Sequence, residues 1–234
     1  MIKRSPFADD LKLTFEAREM SSISTLEVAW EHYPWGTWGD ESRMDEQYFC
    51  SGVACTNKLE LLKLAREEKN CDWDEVTIYM AASQGNLEML RYCVANKCPI
   101  NEWACTEAAR NGHLECLKYL REEAKAPWDD LTADWAAKMG HLHILEYLVE
   151  RKYDQFNTSA CINTAKNGHL DCLKYLHGTA KVPLNDFTVR GAHERYQTEC
   201  LQYLLDNNCP LPEGWSYENG ELYASESESD SESE

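Results

Sequence analysis

The sequence predicts an all-α fold, an α-solenoid of stacked antiparallel helix pairs, and three observations carry that reading. One nine-residue motif recurs: GHLECLKYL at Gly112–Leu120, GHLHILEYL at Gly140–Leu148 and GHLDCLKYL at Gly168–Leu176. Looser copies stand at Gly85–Cys93, Tyr196–Leu204 and Asn57–Ala65. The second leucine of the motif sets a register through Leu62, Leu90, Leu117, Leu145, Leu173 and Leu201, a step of 28 residues with one residue lost once. Each copy is preceded by a segment with small residues near its end, so every unit reads helix, tight turn, helix, loop. A fixed period between 20 and 50 residues is the signature of a stacked repeat array.

Residues 1–44 stand outside the register. Asp9–Met20 carries charges spaced as on a solvated helix, and Ser24-Thr25-Leu26-Glu27 reads as a capping box opening a short helix through Trp30. A loop rich in Gly, Pro and aromatics, HYPWGTWGDES, follows. A stacked array needs a terminal unit that is apolar on one face and polar on the other, which assigns residues 1–44 as an N-terminal cap. A separate interaction motif is the alternative.

Residues 45–211 hold six units. Val53-Ala54, Ala81-Ala82, Ala108-Ala109, Ala136-Ala137, Thr164-Ala165 and Ala192-His193 put small side chains on the packed face of each first helix. Gly85, Gly112, Gly140 and Gly168 follow three residues later, where a terminating helix calls for positive φ. The second helix carries a helical stripe of apolar residues and a ladder of Tyr92, Tyr119, Tyr147, Tyr175 and Tyr203. Units end in turns, several with proline. An apolar anchor and a capping residue come next, as in Trp73-Asp74, Ile100-Asn101, Trp128-Asp129, Phe156-Asn157 and Leu184-Asn185.

The last unit is polar where the others are small, with Arg190, His193, Glu194, Arg195 and Tyr196. It suits a C-terminal cap, and residues 212–220, with Pro212, Trp215 and Tyr217, are expected to fold over its end. From Glu221 the sequence ELYASESESDSESE alternates serine and acid with nothing to bury, the composition of a disordered tail. Ser225, Ser227, Ser229 and Ser231 each have an acid three residues on and are candidate phosphorylation sites.

The formal charge of −18 argues against a nucleic-acid partner, whose phosphates require clustered Lys and Arg, and against an anionic membrane surface. No apolar run is long enough for a membrane span, and no signal-peptide pattern opens the chain, so a cytoplasmic or nuclear location is expected. The eleven cysteines interchange in the register with Ile, Ala, Val, Leu and Met, as small hydrophobes do. Cys55 alone falls at a position that is polar in the other units, and is expected to be the most exposed thiol.

The Gly-His turn between an Ala-Ala helix and a second helix resembles the ankyrin repeat, over roughly residues 45–211. The usual unit has 33 residues and opens on T-P-L-H; here it is shorter, with Thr77, Thr132 and Thr188 near the matching place. Shortened or missing β-hairpin fingers follow from that difference. The resemblance implies a protein–protein interaction module, its partner docking on a concave face lined by the first helices. By register the lining residues are Met80, Gln84, Trp103 and Glu107, then Arg110, Asn111, Trp135 and Lys138, then Met139, Asn163, Lys166 and Asn167. These vary between units as a recognition surface would, and Trp135 is the hot-spot candidate. Arg110, Lys138 and Lys166 also sit where a cation offsets the helix dipole. No phosphate loop, HExxH or GxSxG is present, and His113, His141 and His169 read as structural turn residues. The expected molecule is a monomer without cofactor, metal or catalysis that binds another protein. Alternatives are a substrate adaptor of a larger complex such as a ubiquitin ligase and, less favoured, a metal-binding or thiol-dependent enzyme.

Overall fold

The computed structural model describes residues 21–32 and 44–224. The charged segment Asp9–Met20, the aromatic loop before Asp45 and the serines at 225, 227, 229 and 231 lie outside the described residues. The described residues form two compact units divided after Thr132.

Helix α1 (Ile23–His32) begins earlier than Ser24. Its capping box is Ser22 with Thr25: the Thr25 amide donates to Ser22 Oγ at 3.3 Å and the Ser22 amide to Thr25 Oγ1 at 2.8 Å. Ser24 and Glu27 are therefore not the reciprocal pair. A threonine hydroxyl three residues on does what a Glu carboxylate was expected to do.

Six helix pairs follow. In the first unit α2 (Met44–Cys55) precedes α3 (Leu59–Lys63), α4 (Glu75–Ser83) precedes α5 (Leu87–Ala95), and α6 (Glu102–Arg110) precedes α7 (Leu114–Lys118). Next come α8 (Asp130–Lys138), within which the two units divide, and α9 (Leu142–Glu150). In the second unit α10 (Thr158–Lys166) precedes α11 (Leu170–Gly178), and α12 (Asp186–Glu194) precedes α13 (Thr198–Asp206). The fold class is the expected one. First helices pack side by side, α2 on α4 on α6 and α10 on α12, through the small residues the register marks. Ala81, Ala82, Ala108, Ala109, Ala165 and Ala192 are fully buried, as are the stripe residues Leu62, Leu90, Leu117, Leu145 and Leu173 or Leu176 of the second helices. Among the described residues no β-hairpin lies between pairs; from the last left-handed residue of one pair to the N-cap of the next is four or five residues.

Each pair starts on a cap and turns on a left-handed residue. Asp74, Asn101 and Asn157 accept from the amide two residues on, and Asn185 forms a full capping box with Thr188. Gly85, Gly112, Gly140 and Gly168 all have φ between 70° and 75°. Their second role is steric. A Cβ on Gly85 would stand 2.6 Å from Nδ1 of His113 in the next pair, and one on Gly140 the same distance from His169. The other ring nitrogen, Nε2, then hydrogen-bonds the backbone carbonyl of Ser83 at 3.1 Å or Lys138 at 3.0 Å. The glycine of one turn is the seat for the histidine of the following turn. Where the histidine is replaced, so is the contact: Asn86 donates to Asn57 Oδ1 at 2.7 Å, and Gln197 covers Gly168.

Second helices end in two ways. From the core leucine to the left-handed residue that closes the pair is eight residues at Leu62–Asn70, Leu117–Lys125 and Leu173–Lys181, but seven at Leu90–Lys97, Leu145–Lys152 and Leu201–Asn208. The longer ending holds its extra residue in a widened, π-type turn, Leu64–Glu68 after α3 and Tyr119–Glu123 after α7. There Arg66 donates to the Cys71 carbonyl at 2.7 Å and lies over the Trp73 ring; Arg121 repeats this with Ala126 at 3.1 Å and Trp128. The fourth pair lacks the extra residue but regains it in its connection, where Tyr153 and Phe156 meet edge to face. The single lost residue in the period is the short ending of the second pair.

The C-terminal segment corrects one expectation. Strands β1 (Ser216–Glu218) and β2 (Glu221–Tyr223) pair antiparallel about Asn219-Gly220, both with positive φ. Glu221–Tyr223 therefore belongs to a hairpin, because Asn-Gly supplies the two left-handed residues of a tight two-residue turn. Before the hairpin Pro212 is buried and Trp215 meets His193 edge to face, and the Gln202 side chain donates to the Tyr217 hydroxyl at 3.3 Å.

Candidate protein-binding surface

Along the first helices the middle is buried, and exposure rises at both ends. In the first unit Met80 is 8% exposed and Glu107 5%, so neither projects outward as the register suggested. Close side-by-side packing of α4 and α6 through the alanines closes the groove on that column. Gln84, Trp103 and Arg110 are half-buried and Asn111 is exposed. Arg110 pairs with Glu107 at 3.4 Å, and Asn111 donates to the Glu107 backbone and carboxylate. Burial pushes the Glu107 carboxyl above the usual carboxylate range, with the Arg110 charge and these hydrogen bonds acting the other way.

In the second unit the same column is more open. Trp135 and Asn163 are half-buried, while Lys138, Met139, Lys166 and Asn167 are exposed. The Lys138 ammonium lies 4.3 Å from the Trp135 ring centroid, which holds both side chains against the end of α8. The aliphatic stem of Lys166 rests on Gly191, where a Cβ would be 2.6 Å from Lys166 Cγ. The candidate residues thus sort by height on the helix. In the first unit the column one turn in is framework and Asn111 meets solvent; in the second unit Lys138, Met139, Lys166 and Asn167 do.

Two exposed aromatics stand outside the candidate lining set. Tyr196 is 88% exposed at φ 57°, in the place that Gly85, Gly112, Gly140 and Gly168 take in other turns. Phe187, at the start of α12, is 56% exposed. The signal for Tyr196 was available: a bulky residue at a glycine position means that no following turn seats a side chain there.

Most of the thiols are buried. Ten cysteines are buried and Cys55 is half-buried, as its polar register position implies. Burial raises Cys105 and Cys161 to about 12, and Cys116, Cys172, Cys200 and Cys209 to about 11, so the nucleophilic thiolate is disfavoured. Among the described residues, no group of three His, Cys, Asp or Glu side chains is placed to hold a metal ion, and no helix is long and apolar enough to cross a membrane.

Residues 78–121 match a family model described as ankyrin repeats in many copies, and residues 107–186 match one described as ankyrin repeats in three copies. No curated protein matches the chain.

Proposed function

The chain belongs to the ankyrin repeat family over residues 78–186, and on that premise we propose that it is a non-catalytic interaction module that binds a partner protein through the last turns of its first helices. Ankyrin repeats are in general protein–protein interaction modules. The observation that carries the reading is the contrast between framework and surface. Successive turns repeat the same glycine, histidine, alanine and leucine contacts, while the residues that close the first helices change from Arg110-Asn111 to Lys138-Met139 to Lys166-Asn167. Met139 is 48% exposed with Lys138 exposed beside it, so the identity of this pair is open to a ligand's needs. Trp135, braced by Lys138, offers a rigid apolar surface of the kind that dominates binding energies. The raised thiol pKa values support an assignment without covalent chemistry.

The test is capture of partners from a lysate of the source cell, with wild type beside a Lys138→Glu/Met139→Glu variant. Both residues are exposed, so the variant is expected to keep its helical circular dichroism. A protein retained by wild type and lost by the variant identifies the partner and places the contact on α8. Equal retention of the same protein by both would refute this surface.

A further inference from the structure

Three observations converge on the last turn of α12. The Trp215 ring meets His193 with centroids 4.8 Å apart, so the chain leaving α13 crosses back to the end of the preceding first helix. The hairpin then reverses direction, with Ser216 the partner of Tyr223. Ala224 follows Tyr223, the partner of Ser216, and so lies close to the start of β1. The run that follows, SESESDSESE at residues 225–234, carries five carboxylates.

The second unit carries three cations on or beside α12. Arg195 is exposed two residues beyond His193, and Arg190 lies one turn before it on the same helix. Lys166, on α10, lays its stem over Gly191, bringing its ammonium to α12. Among the described residues no carboxylate forms an ion pair with Lys166, Arg190 or Arg195, and the Arg190 Nε is buried without an acceptor. The opposing charge on this turn is Glu194, which is exposed and bridges none of them. Ten residues reach up to about 35 Å when extended, far more than the turn or two of helix that separates the three cations.

We propose that residues 225–234 dock in cis on the cationic cluster of Lys166, Arg190 and Arg195, covering the end of α10 and α12. The contact needs no other protein. Its consequence is that the chain carries its own competitor for the first-helix surface of the second unit, and an acidic segment of a partner must displace it.

The test uses a fluorescein-labelled peptide of sequence SESESDSESE and full-length protein in three forms, each checked for helical circular dichroism. The first is wild type. The second has a neutral tail: Glu226→Gln, Glu228→Gln, Asp230→Asn, Glu232→Gln and Glu234→Gln. The third adds Lys166→Glu and Arg195→Glu to the neutral tail; both side chains are exposed. Anisotropy at low salt should show the peptide binding the neutral-tail form. A tethered segment acts at an effective concentration of roughly millimolar, so wild type should bind the peptide about ten-fold more weakly or worse. The third form should lose binding, and raising ionic strength to about 0.5 M should weaken the second. Comparison of wild type and neutral-tail protein by NMR should also shift the Trp215 indole and Arg195 amide signals. Equal affinity of the first two forms, undiminished binding by the third, or no binding by the second would each overturn the proposal, as would unchanged NMR signals.

Discussion

At Gly140 two demands fall on one atom. The backbone is left-handed at φ 74°, and the space a Cβ would fill is taken by the His169 ring at 2.6 Å. Gly140→Ala should therefore destabilise by more than the roughly 1–2 kcal/mol of the backbone conformation alone, because the ring must also leave its bond to the Lys138 carbonyl. Tyr196 takes the equivalent place with φ 57° but is 88% exposed. Tyr196→Gly should relieve strain without losing a buried contact, raising stability by up to about 1 kcal/mol. Urea unfolding of the pair decides the matter: equal and small effects would mean that the histidine seat contributes little. Glu107 supplies a second residue-level expectation. Its folded pKa is raised by burial, so the folded state holds the proton more tightly than the unfolded chain. The stability this contributes is fully present below the unfolded value of about 4.3 and is lost as pH rises through the folded one. Measured by urea unfolding, the stability of wild type minus that of Glu107→Gln should fall as pH rises above about 4.3. A difference that grows with pH would mean that the Arg110 ion pair outweighs desolvation.

At the scale of elements, what the sequence made legible was whatever repeats. Helix pairs, Ala-Ala contact faces, positive-φ glycines and the Asp or Asn caps all recur, and each recurrence tests the others. The π-type endings of α3 and α7 were hidden because an alternation of seven and eight residues leaves the 28-residue period almost unchanged, and the fourth pair returns the residue in its connection. The outward set was only partly readable. Register places Met80 and Glu107 with Trp135 and Asn163, yet the first two are buried and the others half-buried, since how tightly neighbouring first helices close depends on the side chains of both. Single features outside the repeat fared worst. Asn219-Gly220 is a strong turn signal, but it sits at the edge of a serine- and acid-rich run whose composition masked it. Ser22 and Thr25 were overlooked for a similar reason, because Ser24 and Glu27 offered the more familiar pattern.

For the molecule as a whole, stability rests on contacts between neighbouring pairs, so it need not be uniform along the chain. The cysteines report on this, since they are spread through the pairs and nearly all buried. In native protein an aromatic disulfide reagent should titrate about one thiol quickly, at half-buried Cys55, and all eleven in strong denaturant. The raised pKa values of the buried thiols further slow their reaction while the fold is intact. At intermediate urea the order of labelling should follow the number of pair-to-pair contacts each thiol depends on. Within the second unit, Cys200 and Cys209 of the last pair have α10 and α11 on one side and, among the described residues, the Trp215 hairpin segment beyond. Cys161 and Cys172 lie one pair further in. Mass spectrometry of peptides after timed labelling should find Cys200 and Cys209 modified first, with Trp215→Ala widening the gap by loosening the contact with His193. Simultaneous labelling of all four would instead show that the second unit opens as one cooperative body, its terminal pair held as firmly as its inner one.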